Sequence, residues 1–488
     1  MKDIKKLLAG AMALTITAGL SACASDDGAA EGGAAEVTTT SEAVTTTVAT
    51  VEVNTETLAA EEEDALSDAM SKLQDVELEN KEIKWFAHYD INPSGNGASK
   101  KVELELFERK YGGSIKWYQT TYENRFNDLS TYVLGGEGID FYASDAANLP
   151  KGIVSGMFQA VDDYIDLDSE IWAPTAEAIK TYKFGDKHYM MVTNTRANYY
   201  VYYNKETIEA NGLDDPWDLY KAGEWNWDTF KEMLQEFVDE ENDQWGLDNW
   251  FNEMALAYSA GVPVVSSIDG QLKCNLDDPT FEKAMNFQYD LYTSGLVLPL
   301  EQFNWSIQPA MMGEGRQLFW IGGYWEAEGD PSVWTHGITP ENLGFVPTPS
   351  PAGSDPYQAA TLEGYVLCKG AQNPEGVARF AECTIVAVND PNSVAIAERK
   401  MMDDNHYSQE LVDRVNEINA LAKQYPVIDL VSGCSADIES LTTASATSAL
   451  KAAFHGTDWA TTRETYADTV NLLVDELNTE LQAKVAEE

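Results

Sequence analysis

From residue 82 onward, short apolar runs alternate with stretches whose apolar residues fall at helical spacing. Glu82-Ile83-Lys84-Trp85-Phe86-Ala87 reads as a buried strand, and the Asn-, Gly-, Pro- and Ser-rich stretch 88–99 as the loop after it. Val102, Leu104, Leu106 and Phe107 then mark a helix that Gly112 and Gly113 stop. Ile115-Lys116-Trp117-Tyr118 is a second strand, and residues 124–134 form a second helix closed by Gly135 and Gly136. Residues 138–145 form a third strand that runs into a polar loop. Strands and helices alternating at this spacing predict an α/β layered domain with a largely parallel sheet. Ligands of such sheets lie at the carboxyl ends of the strands, here the loops 88–96 and 144–148.

Upstream of residue 82 the pattern is different. Residues 24–80 contain no aromatic residue. The stretch 26–57 is dominated by Ala, Thr, Glu, Gly and Val, which bury too little apolar surface to offset chain entropy. It predicts a flexible, self-repelling acidic tether over residues 23–81. Near its end Leu66, Met70, Leu73 and Val76 recur at helical spacing and predict a helix leading into the body. At the N-terminus, Lys2, Lys5 and Lys6 precede an apolar run over residues 7–19, the pattern of an export signal. That run is shorter than the about 20 residues a membrane-spanning helix needs. It ends in Leu20-Ser21-Ala22-Cys23, which resembles the lipobox of bacterial lipoproteins. The resemblance implies that residues 1–22 are removed and that Cys23 is lipidated; the alternative is a plain secretory signal with Cys23 incidental.

Composition narrows the function classes. The 488 residues suit two or three domains of about 100–200 residues each. With Asp+Glu 81 against Lys+Arg 32, the net charge of −49 argues against nucleic acid, whose phosphates need clustered cations. Cys274, Cys368, Cys383 and Cys434 are scattered with no Cys-x-x-Cys, which leaves one or two disulfides or free thiols open. The five histidines, His88, His188, His336, His406 and His455, show no ligand spacing, so neither a metal site nor a cofactor is expected. The acidic run 239–243 resembles a calcium loop in charge only, since Gln244 stands where the loop needs glycine. The sequence has no phosphate-binding Gly-x-x-x-x-Gly-Lys-Ser/Thr and no Gly-x-Ser-x-Gly elbow.

A series of short motifs, in order, resembles the extracellular solute-binding proteins of carbohydrate ABC transporters, the family that includes maltose-binding proteins. Phe107-Glu108-Arg109-Lys110-Tyr111, Tyr202-Tyr203-Asn204-Lys205-Glu206 and Trp225-Asn226-Trp227-Asp228-Thr229-Phe230 are similar to its segments. So are Asp277-Asp278-Pro279, the stretches 292–297 and 310–316, and Trp320-Ile321-Gly322-Gly323-Tyr324-Trp325. The stretch 362–367, followed by Gly370 and Asn373-Pro374-Glu375, completes the series. The stretch 135–142 fits too, with Ile139 where the family has proline. Together the motifs span about residues 82–480 and fade after Asn389.

The resemblance implies a two-lobed, periplasmic-binding-protein-like α/β fold with a ligand cleft between lobes that close by a hinge. Lobe 1 is expected over residues 82–190 plus 362–430 and lobe 2 over 191–361 plus 431–488, with crossings near 190–195, 358–363 and 426–430. A sugar offers flat C–H faces and a rim of hydroxyls, so its site needs aromatic platforms with carboxylates or amides around them. The carry-over assigns Trp325 as a platform after the Gly-Gly turn and Asp145 as a hydroxyl ligand, against a helix N-cap. Trp320 and Trp250 are ligand or packing residues, while Tyr89, Asp90 and Glu363 are ligand, capping or surface residues. Asp140 reads as a buried turn residue. The implied role is a monomeric, lipid-anchored capture component at the cell membrane, facing outside, that hands a carbohydrate to ABC permease subunits. An extracellular glycoside hydrolase and a sugar-binding subunit of a sensory system are the competing readings.

Overall fold

The computed structural model describes residues 60–92, 100–248, 251–328, 338–405 and 407–487. Cys23, the export signal, the Thr-rich stretch and Trp250 lie outside the described residues. Helix α1 (Ala60–Lys72) comes first. Leu66 and Ala69, with Leu73 and Leu78 just beyond the helix, are buried, whereas Val76 of the expected stripe is exposed. Ion pairs fasten the segment: Arg109 to Glu63 at 2.6 Å, Lys72 to Asp390, and Arg399 to Glu62. The Gln74 amide donates to the buried Glu382 carboxylate at 3.0 Å. The folded body therefore begins at α1 rather than at Glu82, which corrects the expected extent of the tether. A segment without aromatics can still bury an aliphatic stripe when a packed wall of helices awaits it.

Strands β1 (Glu82–Ala87), β2 (Ser114–Gln119) and β3 (Phe141–Ala143) build one side of the first sheet, with β2 at its edge, joined by α2 (Val102–Tyr111) and α3 (Arg125–Gly135). β1 runs parallel to both neighbours, with Trp85 opposite Trp117 on one side and Phe141 on the other. Asp140 accepts from the backbone N–H of Lys84 at 2.8 Å and of Gln372 and Asn373 at 2.6 Å, so its carboxylate closes a turn.

The chain then leaves this sheet through β4 (Met191–Ala197) and enters the second with β5 (Tyr199–Asn204). Strand β6 (Trp245–Asp248), helix α4 (Asn252–Tyr258), and strands β7 (Gln317–Gly323) and β8 (Leu343–Pro347) follow. The second sheet has the order β8-β5-β7-β6, with β7 parallel to β6 and antiparallel to β5. Strand β9 (Gln358–Cys368) returns to the first sheet. It pairs antiparallel with β4 from Ala360 to Tyr365 and then with β3 from Tyr365 to Leu367. At its start it runs parallel to β10 (Pro426–Val427). Segments 190–195, 358–363 and 426–430 thus meet side by side, and the sheets are mixed rather than largely parallel because β9 enters from the opposite end.

Between β9 and β10 come α5 (Pro374–Asn389), α6 (Pro391–Asn405) and α7 (Gln409–Gln424); α8 (Trp459–Val485) ends the body. Helix α7 packs against both sheets, accepting from the Ala197 N–H at the end of β4 through Asn419 Oδ1 at 3.1 Å. Its Leu411, Val412, Val415 and Ile418 cluster with Tyr200, Tyr202 and Phe345 of the second sheet. Arg414 fixes it there by donating to the Tyr203 hydroxyl at 3.0 Å and the Phe345 carbonyl at 3.3 Å. Cys274, Cys368, Cys383 and Cys434 are all buried and unpaired.

Just past β10, Asp429 accepts from the Tyr258 hydroxyl and the Val265 N–H, both at 2.8 Å. Burial pushes its carboxyl up to about 6 even though these donors act to lower it. An unfolded aspartate titrates near about 3.9, so the fold favours the protonated form. The associated stability is fully present below that value and is lost as pH rises through about 6.

Two outcomes follow from this packing. Leu66→Ala should lower the unfolding free energy in urea by about 2–4 kcal/mol, the cost of emptying a buried leucine site; a change below about 0.5 kcal/mol would mean that α1 does not pack on the body. Asp429→Asn should gain on the wild type by about 2 kcal/mol between pH 4 and pH 7 in paired urea titrations. A difference independent of pH would show that Asp429 ionises without penalty.

Candidate functional site

The crossing strands carry the charged centre of the site. Glu363 on β9 accepts from the Asn194 amide at 2.9 Å and from Arg196 Nη1 at 3.2 Å, both on β4. A bulge between Glu363 and Gly364 breaks the β4–β9 register here. Gly364 adopts φ +156°, and a Cβ on it would stand 2.0 Å from the Met191 carbonyl oxygen, so only glycine allows this approach. Burial acts to raise the Glu363 carboxyl, but Arg196 and Asn194 outweigh it and hold the group below its ordinary range. The Arg196 guanidinium lies 3.9 Å from the centroid of the Tyr324 ring.

These groups form part of the wall of a cavity of about 700 Å³, to which Trp85, Tyr89 and Lys101 also contribute. The Trp85 indole donates to the Tyr89 carbonyl at 3.1 Å, and the two rings meet edge to face at 5.7 Å. Tyr89 is in turn edge to face with His88 at 5.0 Å, and His88 with the exposed Tyr122 at 5.3 Å. An aromatic rim therefore follows the carboxyl ends of β1 and β2. Beyond β7 a second group forms, with Trp325 edge to face with Phe251 at 5.6 Å and with Tyr324 at 5.3 Å. Trp325 is 47% exposed, and its ring lies over Gly323, where a Cβ would come within 2.2 Å of it.

Other expected residues are placed differently. Asp145 pairs with Arg125 at 2.7 Å and accepts from the Ala147 N–H at 2.9 Å, while lining a separate small cavity of about 90 Å³ beside Asp429. Asp90 does not line the large cavity. Its carboxylate closes a turn by accepting from the Asn92 backbone and side-chain amides, both at 2.9 Å. Trp320 is a core residue, 6% exposed among Tyr200, Tyr202 and Phe345, and its indole donates to Glu326 at 2.9 Å. Strand β7 is buried along its whole length, so Trp320 is covered by the sheet's surroundings. Sequence reasoning missed Asn194, Arg196, Lys101 and Tyr324. Asn194 and Tyr324 fall inside segments it had marked, the first crossing and the Gly-Gly motif, but which neighbour faces the cavity depends on strand register.

A sequence profile of the bacterial extracellular solute-binding protein family matches residues 92–383. No curated protein sequence matches the chain. Among solved structures, a cyclic α-maltosyl-1,6-maltose binding protein from Arthrobacter globiformis superposes with TM-score 0.58 at 13% identity, covering 83% of this chain and 100% of the other. An ABC substrate-binding protein from Listeria monocytogenes in complex with cycloalternan gives 0.57 at 14% identity, covering 82% and 99%. An extracellular solute-binding protein from Staphylococcus aureus in complex with maltose gives 0.54 at 11% identity, covering 84% and 98%. These likenesses establish the two-lobed fold, and the profile covers more than half of the sequence. The chain belongs to the bacterial extracellular solute-binding protein family.

Proposed function

We propose that the protein captures a sugar or oligosaccharide and delivers it to the permease of an ABC importer. The observation that carries this reading is the cavity beside the crossing strands, where aromatic rings from both sheets surround one ion-paired carboxylate. Tyr89 and Tyr324 in its wall, with Trp325 packed against Tyr324, offer flat surfaces to the C–H faces of a sugar, and Glu363, Asn194 and Arg196 offer acceptors and donors to its hydroxyls. The Arthrobacter, Listeria and Staphylococcus proteins of similar fold are all described with saccharides, which supports the same ligand class here.

Glu363, held below its ordinary range by Arg196, suits hydrogen-bond acceptance from sugar hydroxyls and not the protonated role of a general acid. In this reading Trp325 is a sugar platform, and Cys23 carries lipid chains that retain the mature chain at the outer face of the membrane. Two acyl chains give stable attachment where one is marginal.

Calorimetry with a panel of malto-, cello- and xylo-oligosaccharides tests ligand class and platform together. Trp325→Ala should weaken the bound sugar by about 2 kcal/mol, the scale of a binding hot spot. Its urea stability should stay within about 0.5 kcal/mol, against about 3–5 for loss of a core tryptophan such as Trp320. Absence of binding to every sugar would overturn the reading, and unchanged affinity with a large stability loss would return Trp325 to the core. Replacing Cys23 with Ala should release the protein from washed membranes or leave it unprocessed, and normal processing with full retention would exclude lipidation there.

A further inference from the structure

Away from the cavity wall, another tryptophan is more exposed than Trp325. Trp305 is 57% exposed, the highest value for a tryptophan among the described residues. It follows the short helical turn Leu300–Phe303, and its backbone is unusual. Asn304 has φ +54° and Trp305 φ +60°, two successive non-glycine residues in the left-handed region. Bulky side chains rarely adopt that conformation, which persists where surrounding contacts enforce it and clusters at functional sites. Here the enforcement is visible: the Trp305 N–H donates to the Leu300 carbonyl at 2.8 Å, and the ring stacks on His455 at 5.6 Å with 14° between the planes. One face of the indole is backed by imidazole. Its Nε1–H has no hydrogen-bond partner among the described residues.

The loop is also anchored at an informative place. The Gln308 N–H donates to Asp248 Oδ2 at 2.7 Å. Asp248 ends β6, which runs parallel to β7 with Asp248 opposite Trp320. Three residues after Trp320, β7 ends at Gly323, and Trp325 follows. Phe251, three residues after Asp248, touches the Trp325 ring. The loop that carries Trp305 is thus anchored at the carboxyl end of β6, beside the strand end that Trp325 follows. The neighbours Gln302, Asn304 and Ser306 are exposed and polar. A single flat ring among amides and hydroxyls suits a sugar face better than a protein partner, whose docking patch would be a contiguous apolar surface.

We propose that Trp305, backed by His455, is a second sugar platform that extends the site beyond Trp325, so that the protein selects oligosaccharides over disaccharides. The inference rests on the saccharide reading of the cleft. Strain at Trp305 is the cost of presenting the ring, and it fixes the ring before any ligand arrives, which reduces the ordering loss on binding.

The test is calorimetry on the full mature chain with maltose and maltohexaose, cellobiose and cellohexaose, and xylobiose and xylohexaose. In the series that binds, the wild type should prefer six units over two by about tenfold or more, the scale of one added aromatic platform. Trp305→Ala should cut that preference to about threefold or less and leave disaccharide affinity unchanged, while Trp305→Phe keeps most of it. Trp305→Gly should lose the preference with an unfolding midpoint no lower than wild type, because glycine relieves the left-handed strain. Equal affinity for two and six units in the wild type, or an undiminished preference in Trp305→Ala, would overturn the second platform and leave the first intact. No binding by any of the six sugars would overturn both.

Discussion

The hydrogen-bonded pairing of β9 with β4 is the constraint on which the rest depends. It joins the strand that leaves the first sheet to the strand that returns to it, from Ala360 opposite Ala197 to Tyr365 opposite Met191. A continuous antiparallel ladder would alternate side chains without interruption along both strands. The bulge at Glu363 and Gly364 breaks that alternation and brings Glu363 against Asn194 and Arg196 at the cavity wall. Fold continuity and site chemistry thus rest on one irregularity that a side chain at position 364 would abolish.

Charge is distributed with the same economy. In a chain of net charge −49, the cations near the cavity carry particular weight. Arg196 holds Glu363 ionised, and the pair presents both donors and acceptors without a net charge. Elsewhere Arg109, Lys72 and Arg399 fasten α1 to the helices behind the first sheet. Glu62 and Asp390 are themselves buried in these pairs, and Leu66, Leu73 and Leu78 bury the apolar side of the same attachment. The acidic run 239–243 is likewise occupied internally: Asp239 caps its own turn and Asp243 pairs with Arg316 at 2.7 Å.

The aromatic residues divide by their place in the fold and not by type. Trp320 and Trp325 belong to one motif, yet one lies in the core and the other on the surface. The reason is mechanical: β7 is covered on both faces up to Gly323, and the chain turns out of the sheet immediately afterwards. Trp305 reaches the surface by a different route, through two left-handed residues, which a sequence pattern does not announce.

The alternation of strands and helices and the family are legible in the sequence alone. These follow from local apolar periodicity and from motifs whose order the chain preserves. It also marked Asp140 as a turn residue, since an aspartate after Gly138 and Ile139 has backbone donors close by. Only the folded chain shows that α1 belongs to the body, that α7 packs across both sheets, and that Asp90 closes a turn while Arg196 and Tyr324 line the cavity. Each of those outcomes depends on which surface a residue meets across a long sequence separation, and a one-residue change in register or a single bulge reverses the face a side chain takes. Periodicity names the buried stripe, whereas the partner it is buried against exists only once the chain has folded.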